Sequence, residues 1–226
     1  MIIPSTFRAR AARVALVALW FGAAPLRAQD ASPFDAIADD ATKAALRSII
    51  ADAAARGLPT GALVTKVREG IAKHAAPERI RSATALLADR LAVANTAIAP
   101  TRSSDELTAA ADALQVGIPA STLRDMRQLW PQRPLTVPLG VLSELVASGV
   151  SKPIATRRVR DLLMKGANTT QFALLGTSVQ SDIAAGLAPD ASMELRSKGV
   201  LSLIEQRSTG AGVTSEGSPT RPPGKR

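Results

Sequence analysis

Apolar side chains recur along most of this chain at every third or fourth position, the spacing of one helix face, and nowhere alternate as a half-buried strand would require. Leu46, Ile49, Ile50 and Ala53 predict a first helix over roughly 41–56. Leu63, Val67 and Ile71 predict a second over 61–73, and Ile80, Ala83, Leu87, Leu91 and Ala94 a longer third over 78–97. The pattern continues through 104–116, 141–148 and 172–185, giving an all-α chain of about nine helices.

What separates the helices recurs as well. Gly57-Leu58-Pro59, Gly117-Ile118-Pro119, Gly149-Val150-Ser151 and Gly186-Leu187-Ala188-Pro189 each place a glycine, then an aliphatic residue, after a helical run. Glycine just past a helix end takes a left-handed conformation at little cost, and the next aliphatic residue packs back on the helix just finished. Pro59 and Thr60 suit the start of the next helix. A further start is signalled by Ser103-x-x-Glu106, the pattern of a capping box. The prolines of 100–104 and 131–138 mark loops.

Two stretches ninety-two residues apart, 55–77 and 147–169, align at spaced positions. Gly57 falls on Gly149, Leu58 on Val150, Val67 on Val159, Arg68 on Arg160, Glu69 on Asp161, Lys73 on Lys165 and Ala75 on Ala167. One unit, helix–Gly–aliphatic–helix, is expected about four times, hinged at Gly57, Gly117, Gly149 and Gly186, with the helix at 78–97 as an extra element. Short helices are marginal alone, so hairpins must stack and share a core. The pattern leaves two architectures open, a short α-solenoid-like array and a compact helical bundle.

The ends differ in kind from this body. Residues 1–13 carry Arg8, Arg10 and Arg13 without an acid, 14–26 are uncharged and mostly apolar, and Leu26-Arg27-Ala28 offers a small residue at a cut. This is the layout of a secretory signal peptide, with the mature chain expected to begin at Gln29. Thirteen residues of helix reach only about 20 Å, short of a hydrocarbon core of ~30 Å. No stable membrane span is expected after cleavage, and the product is periplasmic or secreted. Residues 207–226, rich in Gly, Ser, Thr and Pro, are expected to be a disordered tail.

The ends also carry the net charge of +9. Four arginines within 1–28, and four basic residues against Glu216 within 207–226, leave 20 basic and 18 acidic residues for 29–206, a net of only +2. There is no cysteine, which excludes thiol chemistry and requires packing alone to hold an exported body together.

Candidate chemistry is sparse. His74, the only histidine, stands at the expected end of the second helix, where it caps or is exposed. A histidine metal site would need a second histidine. Asp35, Asp39 and Asp40 lack the spacing of a calcium loop, and "SPFDAIADDAT" reads instead as two helix-start signals. No metal, cofactor or catalytic residue is assigned. Beyond the signal segment only Phe34, Trp130 and Phe172 are aromatic, too few for the stacking platforms of single-stranded nucleic acid binding, so no nucleic acid partner is expected. Trp130 is expected to cap a hydrophobic cluster.

One pattern points to a partner. Lys66 and Arg68, then Arg124 and Arg127, then Arg157, Arg158 and Arg160 lie on successive second helices of the expected hairpins, whereas 104–116 carries Asp105, Glu106 and Asp112 without a base. If second helices share a face, that face is basic and the opposite one acidic, suited to another protein or an anionic envelope component. The sequence therefore suggests an exported, non-catalytic helical-repeat protein that binds or scaffolds partners in the cell envelope. The alternative is an envelope hydrolase using carboxylates such as Glu69, Glu106 or Glu144.

Overall fold

A computed structural model describes residues 34–210, which contain nine α-helices and no strand. In order these are α1 (Asp40–Ala55), α2 (Thr60–Ala72), α3 (Pro77–Ala97), α4 (Ser104–Gln115), α5 (Ala120–Leu129), α6 (Thr136–Ala147), α7 (Lys152–Met164), α8 (Thr169–Ala184) and α9 (Pro189–Gly210). The expected signal peptide and the tail beyond Gly210 lie outside the described residues. The first four positions assigned to that tail, 207–210, instead continue α9.

The principal helix contacts all join an element to the next one or two along the chain. α4, α6 and α8 form one row, and α1, α3, α5, α7 and α9 form a second. Each row is bound to the other by pairs such as α3–α4, α6–α7 and α8–α9. α6, apolar nearly all round, is the most enclosed, burying Leu139, Leu142 and Leu145 completely. Ala109, Ala110, Ala111 and Ala113 give α4 a small-residue face that is buried in the shared core. One hydrophobic core runs from Ala53 to Met193. A smaller cluster of Ile37, Leu46, Val67 and Ile80 closes the N-terminal end.

Six of the eight junctions are the same turn. The residue after the helix cap has positive φ, its N–H bonds the carbonyl three back, and the next N–H bonds the carbonyl five back. At the first junction Gly57 donates to Ala54 at 2.9 Å and Leu58 to Ala53 at 2.9 Å. Gly117, Gly149 and Gly186 close α4, α6 and α8 in this way, and Gly166 closes α7. The sixth such residue is His74, at φ 51, where glycine would be expected. The two aligned stretches thus correspond element by element. Each runs from the end of one helix through a left-handed joint, a 13-residue helix and a second such joint to the start of another helix.

Some helix starts differ from expectation. Pro59 is the N-cap of α2 and makes no side-chain cap, and Thr60 is already helical. Among the described residues of "SPFDAIADDAT", from Phe34 on, one helix begins. Asp39 caps α1 by accepting from Thr42 N–H at 2.8 Å, while residues 34–36 form a turn. α6 starts at Thr136, so Pro138 lies inside its first turn, where a missing N–H costs nothing because no acceptor precedes it.

The capping box at α4 is half formed. Ser103 accepts from Glu106 N–H at 3.2 Å, but the Glu106 side chain turns inward instead of back to the cap. Its Oε1 accepts from Arg127 Nη2 at 2.5 Å and from Leu135 N–H at 2.5 Å. Arg127 further donates through Nε to Ile98 O at 3.0 Å, and through Nη1 to Trp130 O at 3.0 Å and Arg133 O at 3.1 Å. Both side chains are more than nine-tenths buried. The assignment of Arg127 to an exposed basic face is therefore wrong: every donor nitrogen of its guanidinium is spent inside the protein. The two junctions that lack a left-handed turn, 98–103 and 130–135, are the ones this pair holds.

Four substitutions test the joints against the clamp. At Gly57 a Cβ would meet nothing within 4 Å, so Gly57→Val tests backbone conformation alone and should cost about 1–2 kcal/mol. His74→Gly should raise stability by roughly 0.5–1 kcal/mol, the left-handed cost removed less the extra unfolded-state freedom. In the clamp, Arg127→Met leaves Glu106 buried and unpaired, at about 3–5 kcal/mol. Arg124→Met, on the exposed side of the same helix, should stay within about 0.5 kcal/mol. Thermal or urea unfolding of the four variants measures both contrasts.

Candidate functional site

α5 turns Leu123 and Met126 into the core and sends Arg124 to solvent. α7 buries Ala155, Val159, Leu162 and Leu163, which leaves Arg157 and Arg160 outward on the same helical period. Because α5 and α7 are neighbours in one row, a groove of about 520 Å³ opens between the start of α5 and the length of α7, from Lys152 to Met164. Its walls carry Lys152, Arg157 and Arg160 against a single acid, Asp161, with the hydroxyls of Thr122 and Thr156 between them. The Lys152 ammonium lies over Gly117, only 2.6 Å from where a Cβ would stand, so a glycine at that joint also makes room for a cation.

Ion pairs divide the basic residues into two groups. Arg157 donates to Glu194 at 2.7 Å, and Arg158 bonds both Glu194 and Asp161, the latter at 3.3 Å. These Arg–Glu bonds join α7 to α9 and hold the Glu194 carboxyl below the ordinary glutamate range, the Arg158 hydrogen bond contributing most. Arg158, with a side chain only 17% exposed, is a strut rather than a docking group. Lys152, Arg124 and Arg160 form no ion pair among the described residues.

Lys66 and Arg68 do not join this surface. α2 packs mainly on α1 and α3, not on α5 or α7. Lys66 and Lys73 both bond Glu69, at 2.9 and 2.5 Å, and push its carboxyl down to about 2, with the Lys66 bond the larger cause. Of the seven-residue stripe only Arg157 and Arg160 line this groove, to which the structure adds Lys152, while Arg124 lines a separate groove between α3 and α5 with Val93 and Thr96. The place of Lys152 beside Pro153 at the first turn of α7 was a usable signal. The Glu194 partnership, spanning more than thirty residues, left no local trace.

The acidic residues of α4 do not make an opposite face either. Asp105 and Asp112 line a larger groove of about 720 Å³ between α2 and α4, together with Lys66 and Glu69. Burial against its walls pushes the Asp112 carboxyl up, while Arg90 and Lys66 pull the other way. His74 is exposed at its helix end. Trp130 is buried, donates Nε1–H to Leu163 O at 3.0 Å and meets Phe172 edge-on at 6.0 Å, with the Arg133 guanidinium 3.7 Å above its ring.

No protein-family model matches the chain, and searches of curated proteins and of solved structures find no match. Among the described residues no helix is long and apolar enough to cross a membrane.

The Glu194 pairs generate a pH dependence. Glu194 has a depressed folded-state pKa, so its contribution is present above about pH 4.5, its unperturbed value, and is lost as the pH falls through the lower folded value. The melting temperature of Glu194→Gln should lie below that of the parent at pH 7, and the two curves should converge on acidification below pH 4.5. Parallel curves down to pH 2 would contradict the assignment.

Proposed function

We propose that this chain is an exported, non-catalytic helical-repeat protein that binds another protein in the cell envelope, using the α5–α7 groove to dock acidic side chains. The observation that carries this reading is the excess of cations there. Lys152 and Arg160 stand in the groove without a paired carboxylate, and Arg157 shares Glu194 with Arg158. Guanidinium forks flanked by hydroxyls suit carboxylates presented by a partner.

The contact order of the helices favours reading the body as a short stacked array rather than a closed bundle. A closed bundle brings its first and last helices together, whereas here the principal contacts reach no further than the second neighbour. The hydrolase alternative has less behind it. Glu69 is held ionised by two lysines, Glu106 is spent in the buried clamp, and Glu144 stands exposed on α6. Asp112, in the α2–α4 groove, is solvent-exposed, and the upward push that partial desolvation gives its carboxyl is opposed by Arg90 and Lys66.

The test is capture from envelope extract by immobilised protein. Lys152→Glu/Arg160→Glu should lower capture about tenfold or more, and raising salt from about 0.05 to 0.5 M should weaken the parent. Arg56→Glu/Arg79→Glu changes net charge equally on exposed positions elsewhere and should capture normally. Equal capture by both variants would refute the groove as the docking site.

A further inference from the structure

We infer, resting on the reading of the α5–α7 groove as a dock for acidic side chains, that Glu194 is a built-in competitor for that groove. It occupies Arg157 in the free protein and yields it to a partner's carboxylate. The position of α7 sets this up. In its row α7 packs on α5 along one side and on α9 along the other. Arg157 serves both sides, since it lines the α5–α7 groove while its Nη2 donates to Glu194 Oε1 of α9 at 2.7 Å. Among the described residues that is the only hydrogen bond of its guanidinium. Arg157 therefore stands between two carboxylate positions, one supplied by the chain and one that a docked partner supplies.

The two arginines that share Glu194 are not held alike. Arg158 has a side chain only 17% exposed, and its Nε is buried without a hydrogen-bond partner. It depends on Glu194 and Asp161 to compensate its charge, so it stays. The Arg157 side chain is 57% exposed, and an ion pair so open to water is weak and readily exchanged. Glu194 loses little when Arg157 leaves, because it keeps Arg158, whose hydrogen bond does more to lower its pKa than that of Arg157. The groove also favours the exchange. Arg157 and Arg160 are three residues apart on one helix, where like charges repel. The acid in the groove wall, Asp161, bonds Arg158 instead of either. A carboxylate placed among Lys152, Arg157 and Arg160 relieves that repulsion, whereas Glu194 bonds only Arg157 of the three.

Fluorescence anisotropy with a labelled oligoglutamate, at about 0.05 M salt, tests this. Binding should be lost in Lys152→Glu/Arg160→Glu, which marks the groove as the site. Glu194→Gln should tighten binding about two- to fivefold, the scale of an exposed ion pair. Removing any acid near the groove favours an anion, so the decisive comparison is made without Arg157. In the Arg157→Gln background, adding Glu194→Gln should bring no gain. Circular dichroism melts check that each variant is folded at the assay temperature. Should Glu194→Gln fail to fold, Glu194→Asp takes its place. It keeps the charge, draws it back by one methylene and should tighten binding in the same direction. Binding that is absent from the parent, or that survives Lys152→Glu/Arg160→Glu, would refute the groove and this inference with it. Groove-dependent binding that the Glu194 substitution weakens or leaves unchanged would overturn the inference alone. So would a gain of equal size with and without Arg157.

Discussion

The buried ion pair between Glu106 and Arg127 is the constraint on which the middle of this molecule depends. Taken alone, such a pair is poor evidence of stability, because removing two charges from water costs about as much as their attraction returns. Its value here lies in the groups it satisfies. Two junctions, after α3 and after α5, have no left-handed turn to close them locally. Arg127 instead binds three carbonyls, Ile98 O, Trp130 O and Arg133 O, and Glu106 binds Leu135 N–H. Backbone polar groups that would otherwise be orphaned in an apolar setting are thereby paired, and α3, α4, α5 and α6 are placed relative to one another by one guanidinium.

From that point the constraint spreads by packing. Arg133, whose carbonyl Arg127 holds, lies over the Trp130 ring, Trp130 reaches the last turn of α7 through Leu163 O, and Phe172 of α8 meets the same indole on edge. The other six junctions need no such help, since two short backbone bonds reverse the chain within five residues. The result is a body of short helices, each marginal alone, held by one core continuous from Ala53 to Met193.

Charge follows the same division between near and far. Glu69 with its two lysines lies within one helix turn either side and is largely a surface arrangement. Glu194 with Arg157 and Arg158, and Asp182 with Arg196, stitch the last helices together. Asp182 is drawn down to about 2, first by Arg196 and then by Ser192. Lys152 and Arg160, left over from this stitching, are the cations that the α5–α7 groove holds without a paired carboxylate.

Most expected helix bounds lie within a few residues of those found, because the 3.6 period and the glycine-aliphatic junctions are local features, but α6, expected from 141 after a proline loop over 131–138, begins at Thr136. The 92-residue alignment was legible too, and it sets His74 opposite Gly166, both of which take positive φ, a conformation in which histidine is uncommon but less so than most other side chains. The fate of individual charges was not. Arg124 and Arg127 are three residues apart on one amphipathic helix, yet one lies in water and the other in the core. Glu106 satisfied a capping pattern and was used elsewhere. The physical reason is that an ion pair needs only two side chains brought together, and the partners of Arg127 and Arg158 are supplied by helices 21 and 36 residues away. Local periodicity sets which side of a helix is apolar, but only the packing of one helix on another settles where its polar side ends.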